Sequence, residues 1–151
     1  MRGSGLPRGG FAIRRELEVP GDVKTVFAFL TDPTKFAVVD AALVSVDPTT
    51  PLALCSSGRM THRRGGMTAR TTWSVTAFEP PNGLTVEIHG SGYAMTESAE
   101  LQATPTGTRL RFVDRVWPTS LPGRLLVALS GGIMRRDLAV RTTRLAAALA
   151  E

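Results

Sequence analysis

Two carboxylates, Glu97 and Asp114, are the residues of this sequence whose types and placement best suit chemistry. The hairpin registers given below place them directly opposite each other on the apolar side of a sheet. Two carboxylates in an apolar pocket cannot both ionise without cost, so we expect one to have a raised pKa or to pair with a cation. A carboxyl group held partly neutral can act as general base or acid in an aldol cyclisation or a dehydration.

The same two carboxylates also admit a structural interpretation. Arginines near the C-terminus, namely Arg135, Arg136 and Arg141, could neutralise either of them. Buried ion pairs perturb pKa values as catalytic sites do. The sequence therefore favours a structural or ligand-orienting role for the pair over catalysis.

Few other residues offer reactive chemistry. His62 lies close to a predicted hairpin tip, so we expect a satisfied or half-exposed imidazole at a pocket rim, whereas His89 points outward. Tyr93 could offer its hydroxyl group to a ligand or simply pack as an aromatic edge. The single cysteine, Cys55, excludes a disulfide within the chain and gives no metal-ligand spacing. We accordingly expect no metal and no cofactor.

The stretch "GRMTHRRGGMTAR" contains four arginines and raises the question of an anion or nucleic-acid site. Gly65 and Gly66 predict a tight hairpin turn, which places Arg59, Arg63 and Arg70 on the solvent side of the sheet. Nucleic-acid binding would also require aromatic side chains on that side for stacking, and the sequence predicts none there. We expect a solvated hairpin, with any nucleic-acid binding weak, non-specific and sensitive to salt.

Length and composition indicate one globular domain. The chain has 151 residues, of which 42% are hydrophobic, and a formal net charge of +5 that comes almost entirely from arginine. No apolar run approaches the ~20 residues that span a bilayer, and the N-terminus lacks the apolar segment of a signal peptide. We expect a cytoplasmic protein without membrane insertion, with a flexible tail over residues 1–10 and a domain over residues 11–151.

The order of elements follows from the periodicity of apolar residues. "FAIRRELEV" alternates as a half-buried strand does, and a short amphipathic helix begins near Asp22. "DPTKF" predicts a second short helix with Asp32 as its N-cap. Alternating runs between Leu43 and Trp117, punctuated by turn residues, predict a series of hairpins. The chain ends in a helix of many turns, expected to be broken or bent at Gly131-Gly132.

Pairing the hairpins across their turns predicts the register of the sheet. The predicted pairs are Gly58–Trp73, Met60–Thr71, His62–Ala69, Val75–Ile88, Ala77–Val86, Val86–Glu97, Ile88–Met95, Met95–Val116, Glu97–Asp114, Ala99–Phe112, Leu101–Leu110 and Ala103–Thr108. Opposed residues share a face of the sheet, so these pairs sort the strands into a dry face and a wet face.

The two faces have different compositions. The dry face comprises Met60, Trp73, Val75, Val86, Ile88, Met95, Ala99, Leu101, Leu110, Phe112 and Val116, with His62, Thr71, Glu97 and Asp114 as its polar members. The wet face comprises Arg59, Thr61, Arg63, Arg70, Thr72, Ser74, Thr76, Thr85, Glu87, Ser98, Glu100, Gln102, Arg109, Arg111 and Arg115.

The element order and four phrases resemble the START-like helix-grip (SRPBCC) superfamily, in its polyketide cyclase/dehydrase branch of small bacterial proteins. The phrases are "VPGDVKTVFAFLTDPTKF", "VTAFEPPNGL", "ATPTGTRLRF" and "LPGRLLVAL", and the resemblance spans Phe11 to Glu151. It implies an α+β helix-grip fold, in which a curved antiparallel sheet wraps a long C-terminal helix and two short helices follow the first strand. It also implies a cavity for lipids, polyketides or other apolar ligands. Where relatives often carry a tryptophan after the second short helix, this chain has Val39, so its cavity mouth is expected to be lined differently.

The sequence is compatible with three functions. The first is binding of a hydrophobic small molecule, the second is a cyclase, aromatase or dehydratase using Glu97 and Asp114, and the third is a protein or RNA interaction module using the Arg-rich wet face. The oligomeric state is left open, a homodimer included. The expected ligand-binding residues are Met60, His62, Trp73, Ile88, Tyr93, Met95, Glu97, Phe112, Asp114, Leu129, Ile133 and Met134.

Overall fold

An antiparallel sheet of seven strands forms the frame of the protein in the computed structural model, which describes residues 5–151. The first four residues of the predicted tail lie outside the described part. The strands lie in the order β1-β7-β6-β5-β4-β3-β2, so β1 and β2 form the two edges. They are β1 (Phe11–Val19), β2 (Leu43–Asp47), β3 (Ser57–Arg64), β4 (Met67–Glu79), β5 (Gly83–His89), β6 (Tyr93–Thr104) and β7 (Gly107–Pro118).

Two short helices connect the edge strands, and both begin where the sequence predicts. Helix α1 (Val23–Leu30) is capped by Asp22, whose carboxylate accepts the Thr25 N–H at 2.8 Å. A 3₁₀ turn (Pro33–Lys35) is capped by Asp32, which accepts the Thr34 N–H at 3.0 Å, and leads directly into α2 (Phe36–Val39). These side chains satisfy N–H groups that lack an intrahelical partner, which fixes where each element starts.

The C-terminal helix α3 (Leu121–Leu149) is 29 residues long and continuous. Its N-cap, Ser120, accepts the Gly123 N–H at 3.0 Å. The predicted break at Gly131-Gly132 is wrong. A helix needs only backbone hydrogen bonds, and two glycines lower its stability by about 1 kcal/mol each without interrupting those bonds. Burial of Val127, Leu138 and Leu145 holds the helix on both sides of the glycine pair.

Most of the predicted registers are confirmed, including Glu97–Asp114, Ile88–Met95 and Leu101–Leu110. The predicted pairing of β4 with β5 is wrong. Val75 lies opposite Val86, not Ile88, and Ala77 lies opposite Thr85. The turn closes one residue tighter than expected, at Glu79–Gly83, and a β-bulge between Val75 and Ala77 takes up one further residue. The resulting shift of two positions keeps Val75, Val86 and Ile88 on the same face.

The dry face predicted from the sequence packs against α1 and α3. Trp73, Val75, Ile88, Leu101 and Leu110 are buried, as predicted, while Val86 and Phe112 are half-buried. The predicted outward residues Arg59, Arg70, Glu100 and Arg111 are exposed. The sheet, the short helices and α3 thus form the α+β helix-grip architecture, and α3 covers the concave side of the sheet only partly.

Candidate functional site

A cavity of ≈ 640 Å³ lies between the dry face of the sheet and helices α2 and α3. Strands β3 to β7 provide one wall, and residues from Leu126 to Leu145 of α3 provide the other. The walls are largely apolar. Eleven of the twelve expected ligand-binding residues line the cavity: Met60, His62, Trp73, Ile88, Tyr93, Met95, Glu97, Phe112, Asp114, Ile133 and Met134. Their role in binding a ligand stays a prediction.

Leu129 does not line the cavity, so its expected place in the ligand site is wrong. Its side chain is 71% exposed, two residues after the buried Val127. Two residues correspond to about 200° of helix rotation, which turns Leu129 to the opposite side of α3. Neighbours on the inward side, Leu126 and Ser130, line the cavity instead.

Helices α1 and α2 supply a part of the cavity wall that the sequence did not assign to the site. Phe29, Phe36, Val39 and Asp40 line it together with Leu52 from the loop between β2 and β3. Val39, which the sequence placed near the cavity mouth, lies at this wall. Spacing of aromatic and aliphatic residues by three and four along "FLTDPTKFAVV" is the signal that could have indicated this stripe.

The polar part of the cavity wall is built around Arg141. Its Nη1 donates to Glu97 Oε1 at 3.3 Å, and its Nη2 donates to Asp114 Oδ2 at 3.4 Å. The structural interpretation of the carboxylates predicted such a partner, and the structure selects Arg141, because Arg135 and Arg136 are exposed on the other side of α3. The arginine side chain is 26% exposed and Asp114 only 4%, so the pairs lie in a poorly solvated environment.

The pKa of Asp114 is displaced towards neutrality. Burial is the largest cause, the negative charge of Glu97 adds to it, and Arg141 opposes both, with a resulting pKa of about 7. Burial alone would lower the pKa of Arg141, but the charges of Glu97, Asp114 and Asp40 raise it, so the guanidinium stays charged. Near neutral pH, Asp114 can therefore both release and accept a proton beside the cavity.

A second polar pair, His62 and Asp40, borders the same wall. His62 Nε2 lies 3.1 Å from Asp40 Oδ2, and the other oxygen of Asp40 accepts the Ala42 N–H at 3.0 Å. Burial pulls the pKa of Asp40 upward, but the hydrogen bonds from His62 and Ala42 and the charge of Arg141 hold it below its usual value. Asp40 is thus an anion that fixes the imidazole orientation. His89, as expected, is on the outer face, 2.6 Å from Glu87.

Tyr93 places a phenol at the cavity wall. Its side chain is half-buried, and Gly90 lies so close that an added Cβ there would be 2.4 Å from the ring. Burial raises the pKa of Tyr93, the positive charge of Arg64 partly opposes it, and the negative charge of Glu97 adds a smaller upward effect. The hydroxyl group therefore remains protonated and can donate a hydrogen bond to a ligand.

The cavity mouth lies between the β3–β4 hairpin and α3. Arg64 of the hairpin forms an ion pair with Asp137 of α3 across this mouth. Met67, at the hairpin turn, is 78% exposed and lines the opening. Arg70, expected to point only to solvent, is exposed but also contributes to the opening. The hairpin turn itself has the positive φ angles predicted for Gly65 and Gly66.

The part of the outer face formed by β1, β6 and β7 carries paired charges. Arg109 and Arg111 lie 3.6 and 3.4 Å from the carboxylate of Glu16, and Arg111 lies 3.8 Å from Glu100. Paired surface arginines present less net charge to a partner. These two arginines therefore contribute little to a protein or RNA interaction surface, and the interaction module expected for the Arg-rich face as a whole stays a prediction.

Three features of the described residues bear on other kinds of site. No group of three or more His, Cys, Asp or Glu side chains within residues 5–151 could hold a metal ion. In the same part of the chain, no helix is both long and apolar enough to cross a membrane. Thr71 Oγ1, Trp73 Nε1 and Arg141 Nε are buried and have no hydrogen-bond partner among residues 5–151.

Comparison with known proteins gives one family and many solved structures. The family described as polyketide cyclase/dehydrase and lipid transport matches residues 11–150. None of the curated proteins is a significant match to the sequence. The protein CV1439 from Chromobacterium violaceum is similar in structure, with a TM-score of 0.76 at 14% identity over 91% of this chain and 96% of that chain.

Two further solved structures share the fold. TTHA0849 from Thermus thermophilus has a TM-score of 0.73 at 15% identity, over 89% of this chain and 94% of that chain. The di-domain ARO/CYC protein StfQ from the steffimycin biosynthetic pathway has a TM-score of 0.73 at 11% identity, over 91% of this chain and 50% of that chain. At these identities the likeness concerns the fold alone.

Proposed function

This chain belongs to the polyketide cyclase/dehydrase and lipid transport family, and from that premise we propose that it binds an uncharged, largely apolar small molecule between the sheet and α3. The observation that carries the proposal is the cavity of ≈ 640 Å³. Its volume falls within the range of roughly 300–1,000 Å³ that is usual for small-molecule sites. Its walls combine apolar side chains with a few convergent polar groups, which is the usual composition of such sites.

The charges at the polar wall favour an uncharged ligand over an anionic one. Three carboxyl groups, from Asp40, Glu97 and Asp114, face one guanidinium, that of Arg141. Because both terminal nitrogens of Arg141 already donate to carboxylates, a ligand carboxylate placed there would meet negative charge without a free cation. A ketone or hydroxyl group would meet donors instead, from Tyr93 and from protonated Asp114.

Occupancy of the cavity can be tested by filling it. Ala99 is buried and lines the cavity, whereas Ala103, on the same strand, is exposed and does not. Small molecules that co-purify with the protein should be detected by untargeted mass spectrometry in the parent chain and in Ala103→Trp, and should be lost in Ala99→Trp. The thermal unfolding of each variant checks that the fold persists. Equal recovery from both folded variants would contradict binding in this cavity.

A second candidate function is catalysis of a cyclisation or dehydration. The observation in its favour is Asp114, a carboxyl group with a pKa of about 7 beside an apolar cavity. As a carboxylate it could take a proton from a carbon next to a carbonyl group, and the resulting acid could return that proton to a departing hydroxyl group, which leaves as water. Arg141 and Glu97 would then position the carboxyl group.

Amide variants separate the two candidate functions. A binding protein with Asp114→Asn or Glu97→Gln should retain the molecule recovered by mass spectrometry with a modest loss of affinity. An enzyme should lose turnover by about a hundredfold or more while still binding. Glu100→Gln, an exposed substitution on the same strand, is the matched control. If both amides leave binding and turnover unchanged, the carboxylates serve neither function.

A further inference from the structure

The first half of α3 exposes a stripe of large apolar side chains. Leu121, Leu125, Leu129 and Ile133 are 75%, 64%, 71% and 62% exposed. They recur at every fourth position, so they lie within about 120° of one another around the helix. The helix buries its other side, including Val127, on the body of the protein. Contiguous exposed apolar side chains on a helix mark an interaction surface.

This stripe continues to the cavity mouth. Ile133 belongs both to the stripe and to the mouth, and the exposed Met67 lies at the mouth on the hairpin side. The Arg64–Asp137 ion pair holds the hairpin beside the helix. We call the stripe of four residues together with Met67 the mouth surface.

The residues around the mouth surface are basic, and the one acidic residue among them, Asp137, is paired with Arg64. Residues 121–136 contain Arg124, Arg135 and Arg136 and no aspartate or glutamate. Residues 57–72 of the hairpin contain four arginines and again no acidic residue. All seven arginines are exposed, and of the four in the hairpin Arg64 and Arg70 line the mouth, whereas Arg59 and Arg63 belong to the outer face. The long side chains of Arg64, Arg70 and the three arginines of α3 can reach a headgroup layer while the leucines enter the apolar region beneath it.

We propose that the mouth surface docks on an anionic lipid bilayer, with α3 lying in the interface plane. An apolar stripe flanked by arginines is the composition of an interfacial helix, and each basic residue adds attraction to anionic lipid. Docking of this kind is peripheral and needs no spanning helix. It also needs no ligand in the cavity, so it goes beyond the proposed binding function.

The charges argue against a second copy as the occupant of this surface. Two copies joined through the stripe would bring their arginines together without acidic residues to pair with them, which is unfavourable. An acidic protein would satisfy the charge, but a stripe on the convex surface of a single helix suits a deformable lipid layer better than a rigid partner. If the binding proposal also holds, docking places the cavity mouth at the bilayer, where an apolar ligand could enter without crossing water.

Vesicle sedimentation tests the proposal. The full chain should sediment with phosphatidylcholine vesicles that contain phosphatidylserine, much less with phosphatidylcholine alone, and less as salt is raised. Leu125→Ser with Leu129→Ser should weaken binding by about tenfold or more. The control pair Val44→Ser with Leu54→Ser removes equally exposed apolar side chains elsewhere and should leave binding unchanged.

Charge variants and the cavity variant complete the experiment. Arg135→Gln with Arg136→Gln should weaken vesicle binding more than Arg109→Gln with Arg111→Gln, which removes the same charge from the outer sheet face. The cavity-filled Ala99→Trp should still dock, so failure of ligand binding does not count against docking. The proposal is overturned if the chain does not bind the phosphatidylserine vesicles at low salt. It is also overturned if the leucine variant still binds them and polyglutamate competes that binding away, because binding would then rest on charge alone. A dimer that the leucine variant abolishes, without vesicle binding, would also overturn it.

Discussion

Glu97 on β6 and Asp114 on β7 lie directly opposite each other and accept hydrogen bonds from the same guanidinium, that of Arg141, at 3.3 and 3.4 Å. The three groups carry two potential negative charges and one positive charge. A proton shared by the cluster removes the surplus, and burial assigns that proton to Asp114, which is the more deeply buried carboxyl group. The cluster therefore couples protonation, stability and the polarity of the cavity wall.

Asp114→Asn should flatten the pH dependence of stability. Burial and then Glu97 raise the pKa of Asp114 from 3.8 to about 7, so the folded state keeps a proton that the unfolded chain releases. This group's contribution is fully present below about pH 4 and is lost as pH rises to about 7, with a slope of at most about 1.4 kcal/mol per pH unit. Urea unfolding between about pH 4 and pH 7 should show that the free energy of unfolding falls less steeply with pH in Asp114→Asn than in the parent chain.

The matched control for that experiment is Asp47→Asn, which changes an exposed carboxylate at the end of β2. It should leave the pH dependence of the free energy of unfolding close to that of the parent chain. If Asp114→Asn and Asp47→Asn behave alike, Asp114 does not hold the proton.

Arg141→Met should destabilise the fold most at alkaline pH. Removing the cation leaves Glu97 and Asp114 facing each other without a counter-charge. Loss of one partner from a buried pair costs about 3–5 kcal/mol, and we expect about 2–3 kcal/mol because Glu97 is 34% exposed. Acid should restore part of the loss by protonating the carboxylates. Arg136→Met, an exposed change on the same helix, should shift the urea midpoint little, and an equal shift in both would show that Arg141 is not a structural cation.

Strand periodicity predicted the Glu97–Asp114 relationship because the β6–β7 turn is tight and free of bulges. It failed for the pairing of β4 with β5, because the bulge between Val75 and Ala77 adds a residue to one strand. Alternation of apolar residues does not reveal such a bulge. The inward set survived that error because the shift was an even number of positions.

The helix side of the site was less accessible from the sequence. Arg135, Arg136 and Arg141 were equal candidates for the cation, since the choice depends on the rotation of α3 about its axis. That rotation is set by the burial of Val127, Leu138 and Leu145 against the sheet, which is a tertiary property. The same rotation turns Leu129 to the solvent, although the sequence predicted that this leucine faces the ligand.

Two glycines of α3 should respond in opposite directions to alanine. A Cβ on Gly123 would lie 1.8 Å from the carbonyl oxygen of Gly92, so Gly123→Ala must displace the start of the helix from the β5–β6 turn. We expect a loss of about 1–3 kcal/mol. A Cβ on Gly132 meets nothing within 4 Å, so Gly132→Ala should gain about 1 kcal/mol from helix propensity. Urea unfolding of the two variants gives both signs, and a stabilised Gly123→Ala would contradict the close contact.

The glycine pair also tests whether the first half of α3 moves as a lid. Gly131 and Gly132 are the weakest point of a continuous helix that covers the cavity, and two glycines give up about 2 kcal/mol of helix stability relative to alanine. If ligand exchange requires the helix to open there, Gly131→Ala with Gly132→Ala should slow both association and release by up to about thirtyfold. The equilibrium affinity should change little, because the same opening step precedes entry and exit.

Stopped-flow fluorescence with Nile red, an uncharged apolar dye, measures both rates directly. Thr143→Ala is the control, since it raises helix propensity at an exposed position of α3 beyond the glycine pair and should leave exchange unchanged. Equal rates in the parent chain and in the double alanine variant would mean that exchange does not require opening at the glycines. The ligand would then enter past the Arg64–Asp137 ion pair. In that case Asp137→Asn should speed ligand exchange, and the double alanine variant should leave it unchanged.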